Sequence, residues 1–408
     1  MIYLVVLIIL LYSAIRFDIG GADAKITRKW YWFLGLMLVL LSGLRYRIGT
    51  DTISYESWYE ASTLPPLYNF TLKDLSYNRF EPLFVLFGSF LKMFSQDWIL
   101  FQLVHAAIVN LAFFWAIRKY SPAPFIGITI YYLSTYYALN CEVMRQSLAT
   151  AILVFSLPYL FSKQYVKYFL IVLIAVFIHR ASVLFFILPF ISFLRSTKVL
   201  TISIVLLGIT AAALSQYIIN HFLDIILLFQ SSDSIATTLE NYNDLESLAA
   251  FEFTIFGIIG FFMSTIVLYV ICKIKEDRRI IVKDGNDEKF CKYDMSKMGH
   301  LLSFYIIMQT LSFALPIFYR FAWVLFLFPI FYLSSFIQHM CKSRSIENKI
   351  LLTMVLFLFM FKIVSDNFLE EKDTGIYYYQ RYLPYSSVFD QKKDNDRETL
   401  YIMYNKNY

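Results

Sequence analysis

The chain has 408 residues, of which 59% are apolar, 19% aromatic and only 16% charged, with a net charge of +6; a soluble domain carries about a quarter charged residues. This excludes an ordinary soluble globule. Long unbroken apolar runs also exclude an outer-membrane barrel, whose strands alternate over about 10 residues. A helical span takes about 20 apolar residues, so the composition suits an all-α polytopic transmembrane bundle of about 12 spans.

The apolar stretches fall near 1–15, 30–45, 98–117, 122–139, 146–162, 165–178, 181–194, 199–220, 251–271, 300–318, 321–340 and 350–365, with a shorter run at 82–94. The first, followed by Ala22-x-Ala24, superficially resembles a signal peptide. It lacks a basic start, and Arg16 and Asp18 intervene, so it is expected to remain as a span.

Charge orders these runs across the bilayer. Segments 16–29, 118–119, 163–167, 195–198, 273–297 and 342–349 hold 21 Lys/Arg against 9 Asp/Glu, which marks the cytoplasmic side. The alternate segments 45–81, 140–146, 179–180, 221–252, 320 and 366–408 hold 13 Lys/Arg against 20 Asp/Glu and face outward. The clearest is 221–252, with six acids and no Lys or Arg. The alternation holds only if 82–94 does not cross, so Pro82 to Phe94 is expected to be a re-entrant or interfacial helix. Twelve crossings put both termini outside. Residues 1–365 then form one integral membrane domain and 366–408 a polar C-terminal tail; loop 273–297 is expected to be a solvated connector.

The cysteines at 141, 272, 291 and 341 show no CxxC pair and no histidine at ligand spacing, so neither a disulfide framework nor a metal site is expected. No cofactor motif is present: Walker A, Rossmann glycine, GxSxG and HExxH patterns are all missing. The basic residues follow the topology, so nucleic acid is not an expected partner.

The informative feature is arginine on the wrong side. Arg45, Arg47, Arg145, Arg180 and Arg320 all lie toward the outer face, where the positive-inside rule makes arginine scarce. A single such residue is as readily explained by snorkelling or a local pair, as Arg145 could make with Glu142. Five together suit an anionic site, because guanidinium forms bidentate bonds to phosphate oxygens. On a helix Arg45 and Arg47 would diverge.

Imidazole gains and loses protons near neutral pH, so His179 is a candidate general base for a hydroxyl nucleophile, with a bundle-bonded histidine as the plain alternative. His105 reads as structural, and His221, His300 and His339 sit at span ends. Asp51 either starts an interfacial helix, as a first-turn or N-cap residue, or orients an acceptor hydroxyl, with Tyr55 on the same face and Glu56 and Glu60 on another. Tyr and Trp there suit stacking on sugars, although 31 Tyr and 41 Phe make aromatic richness weak support by itself.

Gly43-Leu-Arg-Tyr-Arg-Ile-Gly-Thr-Asp-Thr-Ile-Ser-Tyr55 and Phe80-Glu-Pro-Leu-Phe84 resemble the opening signature of the EpsG family of Wzy-type polysaccharide polymerases. The resemblance continues through Met144-Arg-Gln-Ser-Leu-Ala149, the turn at Lys163 to Lys167, Phe177-Ile-His-Arg-Ala-Ser182 and Tyr319-Arg320, over roughly 30–340. It implies a glycosyltransferase C-like bundle in the bacterial inner membrane, acting on capsule, O-antigen or exopolysaccharide units. Such enzymes transfer a growing glycan from undecaprenyl pyrophosphate to the next lipid-linked repeat on the exoplasmic face, with a chain-length regulator and a flippase as partners. Loop 273–297 and the polar tail depart from the pattern.

On this reading Arg145, Arg180 and Arg320 hold the pyrophosphate leaving group, and His179 or Asp51 takes the acceptor proton. Arg45, Arg47, Tyr55, Glu81 and Tyr319 bind substrate, and neither metal nor cofactor is required. Two rival classes stay open. A lipid-linked oligosaccharide flippase would also need cavity cations, and a membrane acyltransferase would use His179 as its base.

Overall fold

The structure is a computed structural model that describes residues 1–193, 202–204, 206–207, 210, 214, 295–312, 317–368 and 375–406. Among these residues it is helical, with no β-strand and one isolated antiparallel bridge between Arg45 and Ser387. The stretch 215–294, including the acidic segment 221–252 and most of the loop expected at 273–297, lies outside the described residues.

Helix α1 (Ile2–Ser13) runs into a π-helical turn over Ala14–Ile19. Buried Asp18 lies near the end of this turn and accepts a 2.7 Å bond from the Ile126 amide, in the first turn of α7 (Pro124–Ser134). That turn has amides with no partner inside the helix, and a carboxylate satisfies one of them. Helix α2 (Ala24–Gly43) starts where Asp23 accepts from the amides of Lys25 and Ile26 at 2.8 and 3.2 Å, a side-chain N-cap.

Helix α2 lies along α6 (Trp98–Tyr120), whose 23 residues extend about 35 Å. A Cβ on Gly43 would sit 2.6 Å from a Leu103 methyl, so glycine permits this approach. The buried interior is aromatic and aliphatic but holds a closed polar ring. Asn110 donates to Asn140, Asn140 to the Tyr131 hydroxyl, and Tyr131 back to Asn110, at 2.8, 3.2 and 3.1 Å. Each of these buried side chains is thereby bonded, as an apolar surrounding demands.

Between α2 and α6 lie α3 (Thr50–Glu60), α4 (Leu72–Tyr77) and α5 (Pro82–Leu91). Ten residues reach about 15 Å, half a hydrocarbon thickness, so α5 is too short to cross. Several expected apolar runs are also divided. The stretch 146–162 becomes α8 (Met144–Val154) and α9 (Leu157–Phe161), with Pro158 in the first turn of α9. The stretch 122–139 ends as α7 at Ser134, before a π turn over Ala138–Glu142. The stretch 321–340 is split between Ile317–Leu325 and Leu327–Lys342. The pair 165–178 and 181–194 appears as α10 (Tyr165–Val176) and a 3-10 helix over Arg180–Phe193.

Among the described residues, Ile2–Ile19 and Trp98–Tyr120 are the two helices both long and apolar enough to span a bilayer by themselves. The architecture is therefore a many-helix bundle, and the expected count of about 12 spans goes beyond these helices.

The structure shows where most of the polar C-terminal tail goes. Residues 375–406 dock on the bend that follows α2. Tyr46 donates its amide to Ser386 O, Gly49 to Arg381 O, and Val388 to Leu44 O, each at 2.9 Å. Buried Arg397 donates to the carbonyls of Arg47 and Pro384 at 3.0 and 2.8 Å. Polar groups of this segment complete the hydrogen bonding of a non-helical bend.

Candidate active site

One end of the bundle gathers the end of α2, the start of α3, residues 79–82, the start of α8, the end of α10 and the docked C-terminal segment. The bend between α2 and α3 is held by the side chain of Gln102. Its Nε2 donates to Gly43 O and Arg45 O at 2.9 and 2.7 Å, satisfying carbonyls that the helix end leaves open. Gly49 has φ +90°, and a Cβ there would meet Cys141 Cβ and O at 2.7 Å, so both conformation and space require glycine.

Glu142 then fixes the start of α3. Its carboxylate accepts from the amides of Thr50 and Asp51 at 3.1 and 2.8 Å and from the Thr50 hydroxyl at 3.1 Å. The N-cap position itself is Gly49, and Asp51 lies in the first turn of α3, one of the two placements that the sequence allowed. The expected Arg145–Glu142 pair is replaced by this arrangement, because two helix amides outcompete a neighbouring guanidinium. Relieved of capping, Asp51 presents its carboxylate at the surface of the site.

Asp51 is exposed at the start of α3. Loss of solvation first, and the nearby Glu142 charge second, push its pKa up to about 7, against the opposing influence of Arg381, Arg145 and Arg79. Three guanidinium groups from distant parts of the chain thus act electrostatically on one carboxylate.

Arg145 opens α8 and reaches Glu81, with Nη1 to Oε2 at 2.7 Å, while its Nε lies 3.4 Å from the Tyr55 hydroxyl and its guanidinium covers the Phe80 ring at 4.6 Å. Glu81 is the hub of this side of the site. Its other oxygen accepts from the Arg180 amide at 3.4 Å and stands 3.7 Å from His179 Nδ1, an ion-pair distance beyond hydrogen bonding. Burial works to raise the Glu81 pKa, but His179 and Arg145 outweigh it and hold the group at about 2. Glu81 is therefore a permanent anion that orients Arg145. The Arg180 side chain is exposed, directed away from the core.

Of the expected site residues, Asp51, Tyr55, Glu81, Arg145 and His179 come together, and Arg180 joins them through its backbone amide. Arg47 stands aside: it forms a bidentate pair with Glu398 at 2.6 and 2.7 Å and a further bond to Glu56. Those carboxylates raise its pKa, the Glu398 bond first, and Glu398 is lowered in return by the same bond. Arg45 is a correction. It is 1% exposed and donates to Ser42 O, to Ile48 O at 3.4 Å and to Thr52 Oγ1 at 3.1 Å, so it braces the bend and cannot meet a ligand. The pair does not lie on a helix at all, since α2 ends at Gly43. Arg320 and Tyr319 fall on the helix Ile317–Leu325, but their side chains lie outside the described ones.

Sequence reasoning missed Arg79, Arg381 and the capping role of Glu142. Arg79 immediately precedes the Phe80-Glu81 motif, and its position was the available signal. Arg381 lies in an acid-rich segment and carried none. Among the described residues no group of three His, Cys, Asp or Glu gathers to hold a metal ion.

Comparison with curated proteins and with solved structures yields no match. The EpsG family does match, over residues 28–387, which takes in most of α2, the arginine-bearing site and the first part of the docked segment, including Arg381. The chain is a membrane protein of the EpsG family, whose members are Wzy-type polymerases.

Proposed function

We propose that the protein is a multi-pass inner-membrane glycosyltransferase that polymerises polysaccharide repeat units on the exoplasmic face. It would transfer a growing glycan from undecaprenyl pyrophosphate to a sugar hydroxyl of the next lipid-linked repeat. The observation that carries this reading is the partly open Arg145 guanidinium, held at 2.7 Å by buried Glu81 and acting on the Asp51 carboxylate, in a chain of this family. A proton acceptor beside concentrated positive charge is what attack by a hydroxyl on a pyrophosphate-activated sugar needs.

In the step, the acceptor O–H gives its proton to Asp51 as its oxygen bonds to the anomeric carbon. The bond from that carbon to the pyrophosphate oxygen breaks, and the leaving group keeps the electron pair. Arg145 and Arg180 stabilise that developing charge, with Arg320 a further candidate. Glu81 keeps Arg145 aimed, and His179 beside it is the alternative proton acceptor. Because the guanidinium charges can neutralise pyrophosphate, the scheme needs no divalent cation.

The test is the length distribution of surface polysaccharide in cells carrying Arg145→Ala, with the protein quantified in the membrane. Replacement of long chains by single-repeat products at normal protein level supports the reading. An unchanged ladder overturns it. Lipid-linked repeats retained on the inner leaflet would mean a flippase, and unchanged chains lacking acyl groups an acyltransferase.

A further inference from the structure

We propose that the cavity between α3 and the turn after α4 is a subsite for sugar residues of the glycan, set beside the reacting centre; this rests on the polymerase reading above. The cavity measures about 350 Å³, the small end of the range for ligand sites. Its lining has the composition a pyranose requires. Ser54, Ser57 and Thr63 supply hydroxyls, Asn78 an amide, Arg79 a guanidinium, and Tyr77 an aromatic ring.

The polar groups are set in advance. Asn78 Oδ1 accepts from the Trp58 indole at 2.8 Å, and its Nδ2 donates to Asp74 O at 2.8 Å, so the amide cannot rotate freely. Trp58, which also lines the cavity, is stacked on Phe84 at 5.1 Å. Tyr77 is 80% exposed at the rim and adds nothing to the core, a placement that suits a ring offered to a partner with apolar faces and polar edges.

Arg79 joins this cavity to the chemistry. It lines the cavity, and its charge also acts on the Asp51 carboxylate. Its guanidinium lies over the Phe80 ring at 4.9 Å, next to the motif that carries Glu81. Helix α3 carries both Asp51 and, three residues on, the lining residue Ser54, so a hydroxyl-rich chain seated here lies along the same helix face as Asp51, with a sugar against Tyr77. Hydroxyls, an amide and a guanidinium alternate in the lining with the Trp58, Tyr77 and Tyr401 rings, the mixture that a sugar's polar edges and apolar faces call for.

The test uses full-length protein in nanodiscs and, as probe, the oligosaccharide repeat freed by mild acid from the lipid-linked pool of the same cells. Saturation-transfer NMR is expected to show contact with the sugar protons for the native protein and for Arg145→Ala. The signal should be lost in Ser57→Trp, which fills the cavity, and in Tyr77→Ala, which removes only an exposed ring and guards against misfolding of the first variant. A signal that survives both substitutions overturns the subsite. If Arg145→Ala leaves the cellular ladder intact while Ser57→Trp abolishes contact, the subsite stands and the polymerase reading falls.

Discussion

Glu81 and Arg145, 64 residues apart, form a 2.7 Å ion pair in which the carboxylate is 8% exposed and the guanidinium 27%. The anion is therefore the fixed member and the cation the accessible one. Such an arrangement aims a positive charge at a site without consuming it, since the guanidinium stays partly open above the Phe80 ring. Glu81→Gln removes the charge that orients Arg145 but keeps an acceptor. Polymerisation should fall by roughly 10- to 100-fold, the range of one charge-assisted bond. Initial rates of chain extension in membrane vesicles measure this, and a rate within about twofold of native would show that Glu81 does not position Arg145.

The pH dependence follows from Asp51. Its ionised form accepts the proton, and its pKa is raised to about 7, so extension should rise as pH passes upward through that value and fall away below it. Glu81, at about 2, stays ionised across that window and adds no limb. Asp51→Asn should abolish the limb together with most of the rate. A profile retaining the same limb in Asp51→Asn would assign the proton to another group.

Gly49 offers a structural test. Alanine there meets both a positive φ and Cys141 at 2.7 Å, so Gly49→Ala should cost about 1–3 kcal/mol. In detergent the thermal midpoint should drop by several degrees, and the amides that Glu142 caps should exchange faster. An unchanged midpoint would mean that the bend relaxes without cost.

The docked C-terminal segment can be tested by charge exchange. Arg47→Glu places three carboxylates together and should lower both membrane level and extension, whereas the double variant Arg47→Glu with Glu398→Arg should recover part of each. Recovery is incomplete because Glu56 then faces the introduced carboxylate without a cation of its own. Equal loss in the single and double variants would indicate that the pair is not what docks the segment.

Much of the site was legible because its residues are individually out of place. Arginine at the end of an apolar run and a histidine closing another are each costly unless something uses them, Glu81 entered through the family resemblance, and Asp51, Glu81, Arg145 and His179 lie close together in the structure. What the sequence determined is local: apolar runs make helices, and Pro and Gly mark where they start and stop.

Assignment of partners was decided only in three dimensions. Glu142 could have paired with Arg145 three residues away, yet it caps α3, 91 and 92 residues distant, while Arg145 turns to Glu81. Arg45 looked like a ligand-binding cation and became a buried brace, and a charged tail became part of the site through bonds to residues over 300 positions earlier. The physical reason is common to all three. A charged group takes whichever partner best replaces its lost solvation, and which partners stand within reach depends on the packing of distant helices rather than on neighbours in the chain.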